Sequence, residues 1–485
     1  MIGEILSIIV VFLYSFSAIL IFLYSFSQWM LFVSYLKKKE KVPQDYFSEK
    51  DLPIVTIQLP IFNEKYVAER LLECVSQIQY PKLEIQVLDD STDESLASNR
   101  EFVEKLALQG IDIKLIHRTD RKNFKAGALK NGLVTAKGEF IAIFDADFLP
   151  EKDWLNETIH FFTKPEIGVV QTRWFHLNRN YNLLSKIQGM ALDHHFTIEQ
   201  VGRNQAQHFI NFNGTAGIWR KACIIDAGNW EGDTLTEDLD LSYRAQMRNW
   251  EFVYLENIPS PSELPVVMSA VRSQQFRWNK GGAENFRKFG SKVLKSKTIL
   301  LNHKIHGISH LLNSSVFLWV FILSLLSVPL LFVYKTPVDF LLNAGSLLKY
   351  TSVILAIVFY TTFRKTQGKT FSDFPKFVFQ FLLFFPVILG LSFHNSVAVL
   401  EGYFGKKSAF IRTPKFNITQ NNDSWKNNQY LSKNLGWGFF VECFLFLYFV
   451  GGIVLGILLQ NFAIIPFHFL LALGYFIIII YTLNE

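Results

Sequence analysis

The sequence predicts an α/β domain on a mainly parallel sheet, set between α-helical membrane segments. Three observations carry this. Apolar residues make up 50% of the chain, including 48 Phe, and concentrate at its two ends. The middle, from about Pro53 to Lys295, has ordinary globular composition and alternates strand and helix signals. Three of its strands end in polar clusters, and in such sheets ligands sit beyond the carboxyl ends of the strands.

Ile5 to Leu36 is an almost unbroken apolar run with no basic residue before it, unlike a secretory leader. It reaches roughly 45–50 Å at helical rise, against about 30 Å of hydrocarbon, and should tilt or protrude. The segment FLYSFS, at Phe12 and again at Phe22, reads as membrane low complexity. Lys37-Lys38-Lys39-Glu40-Lys41 follows at once. The positive-inside rule therefore puts the N-terminus outside and the middle domain in the cytoplasm. The expected domains are a transmembrane helix over 1–36, the α/β domain over 37–300 and a membrane region over 301–485.

In the middle domain, Val55–Leu59, Glu84–Leu88, Ile113–Ile116 and Phe140–Phe144 read as strands, and Val67–Gln77, Glu94–Gln109 and Ala126–Ala136 as the helices between them. The strand ends carry Pro60-Ile61-Phe62-Asn63-Glu64, Asp89-Asp90-Ser91 and Asp145-Ala146-Asp147. They should converge on one nucleotide site.

Beyond Lys295, Leu311–Tyr334, Tyr350–Phe363, Trp437–Leu459 and Phe462–Tyr481 read as spans. Phe374–Phe393 is as apolar but is flanked by Arg364, Lys365 and Lys369 on one side and Lys406, Lys407, Arg412 and Lys415 on the other. A crossing would leave one basic flank outside. The expectation is a helix over about 374–404 lying in the cytoplasmic interface, with a complete span as the alternative. The net charge of +6 falls largely beside apolar runs, which suits membrane lipids and not nucleic acid. Cys74, Cys223 and Cys443 are too far apart for a metal or redox spacing.

Phe140 to Phe144 is an apolar strand that ends in Asp145 and Asp147. Side chains alternate along a strand, so the two carboxylates point the same way. Like charges there repel and resist desolvation, and a Mg²⁺ or Mn²⁺ ion relieves both problems. Lys125 opens a helix beside Gly127, a good place for a diphosphate. Thr236-Glu237-Asp238 reads as an acidic first helical turn with Thr236 as N-cap, and a carboxylate there can serve as general base. Gln274 and Arg277 lie three apart on one helix face. Arg277 brings a fork of donors for a diphosphate and Trp278 a flat face for a sugar.

Together, Asp90, Asp145-Ala146-Asp147, Thr236-Glu237-Asp238 and Gln274-x-x-Arg277-Trp278 resemble the ordered motifs of processive family 2 glycosyltransferases, most closely the cellulose synthase-like mannan and glucan synthases. The segments Asp193 to Gln200, Phe212 to Arg220 and Ser262 to Pro265 carry the same likeness. It implies a GT-A fold, a nucleotide-diphosphate sugar donor such as GDP-mannose or UDP-glucose, a divalent metal and inversion at the anomeric carbon. On it, Asn63, Glu64, Asp89, Asp90, Lys125, Asp145, Gln274 and Arg277 fall to the donor, and Asp145 and Asp147 to the metal. His194, Gly214, Thr215, Glu237 and Trp278 fall to the acceptor, and Asp238 is the base. Phe410-Ile411-Arg412-Thr413-Pro414-Lys415 is similar to a gating loop of cellulose synthases, with Arg412 where that pattern has Val. It lies in a loop expected over about 405–433, with Thr413 and Lys415 as phosphate contacts. The product is then a β-linked polysaccharide, extended processively and exported. Two other readings stand beside it: single transfer to a membrane lipid, and a silent export scaffold.

Overall fold

The computed structural model describes residues 2–333, 345–368, 370–420, 422–426, 428–431 and 435–485. Tyr334, Lys369 and positions 421, 427, 432 and 433 of the expected loop lie outside the described residues.

The middle domain is a seven-stranded sheet. Strands β1 (Val55–Ile61), β2 (Leu83–Asp89), β3 (Ile113–His117) and β4 (Phe140–Ile143) were expected, each within two residues. Strands β5 (Ile167–His176), β6 (Gly217–Arg220) and β7 (Glu251–Ser262) were not picked out. The order is β3-β2-β1-β4-β6-β5-β7. β6 runs antiparallel to both β4 and β5, and the other four pairings are parallel. β1 lies between β2 and β4, so the chain reverses its direction of travel across the sheet there, and a crevice opens beyond the strand ends. Val55, Ile57, Leu59, Val87 and Phe140 are buried on one face, under the helix Ala68–Ser76 and the segment around Trp154. Ile141, Ile143, Val169 and Trp219 are buried on the other, with Leu129 and Leu133 of helix Phe124–Thr135.

Among the described residues, six helices are long and apolar enough to cross a membrane: Gly3–Leu36, Asn313–Phe332, Leu347–Thr366, Phe371–Phe404, Trp437–Leu458 and Ile465–Leu483. They make the chain an integral membrane protein. The domain is bound to them through side chains. Leu31, Phe32 and Tyr35 of the N-terminal helix and Val358 join the core beneath β4, β5 and β6.

Helix Phe374–Phe404 meets the domain along one side. Near its start, Phe377 packs with Leu184, Ile187 and Met190 of the domain. Further on, His394 Nε2 is 3.0 Å from Arg272 O, and Gly402 lies against Lys280 and Ala283. Its other side meets the apolar helices: Gly390 abuts Gly474, and Leu389 and Phe393 join Leu445, Phe449, Leu471 and Tyr475. The helix therefore runs along the domain, between it and the last two apolar helices.

Candidate active site

The three polar strand ends do converge. Glu64 after β1, Asp90 after β2, and Asp145 and Asp147 after β4 line one cleft. Asp90 is buried and faces Arg118, which donates from Nε to Oδ1 at 2.9 Å and also pairs with the second oxygen. Arg121 stacks over Phe62, 3.2 Å from the ring centroid. Lys125 enters from the first turn of its helix, as expected, and donates to Asp145 Oδ1 at 2.5 Å and Gly214 O at 2.9 Å. Burial works against its charge, but Asp145, Glu237 and Asp238 outweigh it and raise its pKa.

Glu237 and Asp238 begin helix Glu237–Gln246 and face the same cleft. Burial first, then the neighbouring Glu237, pushes the Asp238 carboxyl up to about 7, although the Leu239 N–H donates to its Oδ1 at 2.9 Å. Gly214 has φ +82, and a Cβ there would lie 3.1 Å from Asp238 Oδ2. Glycine therefore meets both a backbone and a space requirement beside Asp238. Gln274, Arg277 and Trp278, on the long helix Met268–Lys295, complete the wall.

A segment after helix Phe374–Phe404 straps the cleft. Arg277 donates to Thr413 Oγ1 at 2.7 Å and lies over the Phe410 ring. Lys415 Nζ donates to Asp147 Oδ2 at 2.7 Å. Arg412 pairs with Glu64 at 2.5 Å and lies over Tyr430, whose hydroxyl donates to Asp93 at 2.5 Å. Burial raises the Glu64 carboxyl, Arg412 and Lys415 pull it back, and it settles at about 7. The strap is held from outside by Lys280, buried and donating to Lys406 O at 2.5 Å and Ser408 Oγ at 2.6 Å.

Several expected site residues support the cleft from behind. Asp89 is wholly buried, with both oxygens taken by the Ser91 N–H and Asn99 Nδ2 at 2.8 Å each. It fixes the turn that presents Asp90, and donor contact is corrected to that role. Asn63, at φ 52, accepts from the Thr92 N–H at 2.9 Å and donates its own N–H to Ser91, bracing two strand ends together. Thr215 is wholly buried, and its Oγ1 accepts from the Asp145 N–H at 2.8 Å, so it holds the acidic pair and not the acceptor. His194 is buried outside the cleft, 3.1 Å from Gln28 Oε1 and stacked on Phe359, where it joins the domain to the membrane helices. Thr236 occupies the N-cap position without a side-chain cap: Asn285 Nδ2 donates to its Oγ1 at 2.9 Å.

Reasoning from sequence also missed residues. Glu263 lines the cleft beside β7 and accepts from the Phe416 N–H at 2.9 Å. Arg118 and Arg121 carried no motif of their own, whereas Asn213 lay in the Phe212 to Arg220 segment. The signal for Glu263 was present in the Ser262 to Pro265 segment. Asp240 cannot replace Asp238, because it is turned into an ion pair with Arg244 at 2.6 Å and Lys288 at 2.5 Å.

The donor set suits a divalent cation. Asp147 is 3% exposed, and its Oδ1 has no hydrogen-bond partner among the described residues. Buried carboxylate oxygens are rarely left so, and hard oxygens are what Mg²⁺ or Mn²⁺ prefers. Gln274 Oε1 and Arg277 Nε, also in this cleft, are enclosed and likewise without a partner among the described residues.

Known proteins place this architecture. Residues 53–281 match the family model described as glycosyltransferase like family 2. Probable glucomannan 4-beta-mannosyltransferase 4 of Oryza sativa subsp. japonica is 43% identical over 261 residues, covering 52% of this chain and 48% of that protein. Glucomannan 4-beta-mannosyltransferase 2 of Arabidopsis thaliana is 42% identical over 265 residues, covering 53% and 50%. The chain thus spans about half the length of these relatives. Among solved structures, the mannosyltransferase PcManGT from Pyrobaculum calidifontis, in complex with GDP-Man and Mn²⁺, aligns with a TM-score of 0.54 at 17% identity, over 84% of this chain and 100% of that one. That likeness shows the fold, a GT-A sheet with its cleft at the strand ends. Over residues 53–281 this chain is similar to glycosyltransferase family 2.

Proposed function

We propose that the protein is an inverting hexosyltransferase that moves a sugar from a nucleotide diphosphate to the end of a β-linked polysaccharide, of mannan or glucan type. The observation that carries this is one cleft holding Asp238, the cations Lys125 and Arg277, and the Trp278 ring. An acceptor hydroxyl is a poor nucleophile at neutral pH. Asp238, with a carboxyl near pH 7, is matched to take its proton as the oxygen attacks the anomeric carbon. The bond to the diphosphate breaks on the opposite face, so an α-linked donor gives a β-linked product. Negative charge gathers on the leaving diphosphate, where Arg277, Lys125 and Lys415 offset it. Asp145 and Asp147 would hold a divalent cation, which supplies further charge stabilisation when bound. Glu64 and Asp90 line the donor side of the cleft, and Gly214, Glu237 and Trp278 the acceptor side.

The mannosyltransferase names of the relatives favour GDP-mannose as donor, with UDP-glucose its competitor. The basic residues Lys37–Lys41, Lys365 and Lys406–Lys407 support a cytoplasmic domain and an N-terminus outside. The contacts of helix Phe374–Phe404 along the domain support an interfacial helix, leaving five crossings. Processive extension and export are part of the same proposal.

The test is direct. Detergent-purified protein is given each radiolabelled donor, and the product is extracted with organic solvent and digested with linkage-specific hydrolases. A β-mannanase- or β-glucanase-sensitive polymer is expected. Label confined to the lipid extract would assign single transfer to a lipid instead. Absence of both transfer and donor hydrolysis would leave the scaffold reading.

A further inference from the structure

The chemistry above makes no use of His195 or Glu199, although both are built into the domain beside the cleft. Helix Leu183–His194 runs into a π-helical turn, His195–Glu199. Such turns are rare and often mark functional sites. At this one His194 meets the membrane helices, while the His195 ring meets the cleft wall. His195 Nδ1 lies 2.7 Å from Glu199 Oε2, and Nε2 lies 3.0 Å from Asn213 Oδ1. Asn211 Nδ2 donates to the same Oδ1 at 2.7 Å, and the Asn213 N–H donates to Gln171 Oε1 at 3.0 Å. Asn213 is therefore held from three directions.

Asn213 lines the cleft beside Gly214, the residue that abuts Asp238. Its Nδ2 is enclosed and has no partner among the described residues. Leaving a buried donor unpaired is costly, so its retention points to a ligand group that pairs with it. The neutral amide suits a sugar hydroxyl, and the nearby base places that hydroxyl on the acceptor. Turning the Asn211 and Asn213 amides over together would exchange the donor for an acceptor at the same place, and a hydroxyl serves either.

Glu199 is anchored in turn. It is 4% exposed and accepts from Gln28 Nε2 at 2.7 Å, with Arg203 and Asn313 Nδ2 each at 3.4 Å. Burial alone would raise its pKa, but Arg203 and His195 prevail and hold the carboxyl well below the usual range. Gln28 belongs to the N-terminal membrane helix, so the chain of contacts runs from that helix to the cleft wall.

We propose that Asn213 binds a hydroxyl of the terminal acceptor sugar, and that His195, backed by Glu199, is a positioning residue that aims the Asn213 amide. This rests on the polysaccharide-extending reading of the cleft. The test uses full-length protein, wild type and the variants Asn213→Ala, His195→Ala and His195→Gln. Transfer from GDP-mannose is followed while β-1,4-mannotetraose is varied, and then while the donor is varied. One lost hydrogen bond predicts an acceptor KM about five- to tenfold higher in Asn213→Ala, with the donor KM moving less than twofold. His195→Ala should move the acceptor KM in the same direction, and His195→Gln, which keeps a side-chain donor, should restore most of it. An unchanged acceptor KM in Asn213→Ala overturns the inference. So does an equal fall with acceptor and donor, which marks a merely structural role, or a His195→Gln variant no better than His195→Ala. If wild-type protein itself never extends the tetraose, the polysaccharide reading fails first, and this inference with it.

Discussion

The cleft is a set of carboxylates held by cations that a substrate must displace or join. Lys415 takes Asp147 Oδ2 and Lys125 takes Asp145 Oδ1, which leaves Asp147 Oδ1 for a divalent ion. Transfer should therefore depend on Mg²⁺ or Mn²⁺. Full turnover in excess chelator, with metal content verified as nil, would remove that role from the acidic pair. The pH dependence follows from Asp238. Its carboxyl is raised to about 7, and only the ionised form accepts a proton. At saturating donor, the transfer rate should rise as pH increases through about 7 and then level off. A rate flat from pH 5 to 8 would contradict the assignment. Most of these residues were legible in the sequence, because each sits in a short motif whose spacing reflects one strand end or one helix turn. The misassigned ones failed for a common physical reason. Asp89, Asn63 and Thr215 are adjacent to functional residues, and sequence adjacency cannot say which of two neighbours faces the cleft and which holds the turn behind it. Asp90 and Asp89 differ only by the alternation of side chains at a strand end.

At the scale of elements, the strap after helix Phe374–Phe404 is the least regular part of the cleft and the most heavily tied. Arg412 stands where the related pattern has Val, and the structure explains its charge: it pairs with Glu64, and its guanidinium covers Tyr430. Breaking a buried pair from one side leaves the other charge unmatched, at about 3–5 kcal/mol when burial is complete. Arg412→Ala should loosen the strap, read as faster hydrogen exchange across residues 410–418 than in wild type. Equal exchange would mean that the remaining contacts hold it alone. The membrane helices give a second element-scale prediction. A Cβ at Gly474 would lie 2.0 Å from Pro386 O, so the two helices touch through backbone. Gly474→Ala should force them apart and destabilise the detergent-purified protein by about 1–3 kcal/mol, visible as a lower Tm. An unchanged Tm would show that the helices separate freely. β5, β6 and β7 escaped the sequence reading because their partners are distant in the chain. Their pairing to β4 and to each other depends on tertiary contact, and the four-residue β6 is too short to show a period.

For the whole molecule, the domain and membrane region meet over a broad front, through Leu31, Phe32 and Val358 in one core cluster and Arg272–Glu442 and Ser269–Glu485 at the far side. Hydropathy located the apolar helices well, since length and composition suffice. The place of helix Phe374–Phe404 was harder to read, because an interfacial helix lying under a protein domain is as apolar as a crossing one. Ala409, just beyond that helix, decides between them. In a chain whose three native cysteines are replaced, Ala409→Cys should resist an impermeant thiol reagent on intact cells and react once they are opened. Labelling from outside would put the strap, and with it the cleft, on the wrong side of the membrane for this topology.

The account depends most on the separate roles of Asp238 and Asp147. Asp238→Asn keeps shape but cannot accept a proton, and losing a general base typically costs about 10²–10⁴ in rate. Nucleoside diphosphate binding should survive in it, since Arg277, Lys125 and the metal site remain. Asp147→Asn should instead weaken metal-dependent diphosphate binding as well as rate. Calorimetry with nucleoside diphosphate, run beside single-turnover transfer on both variants, separates the two quantities. The account predicts slow transfer with intact binding for Asp238→Asn, and loss of both for Asp147→Asn. Transfer by Asp238→Asn at near wild-type rate would contradict it.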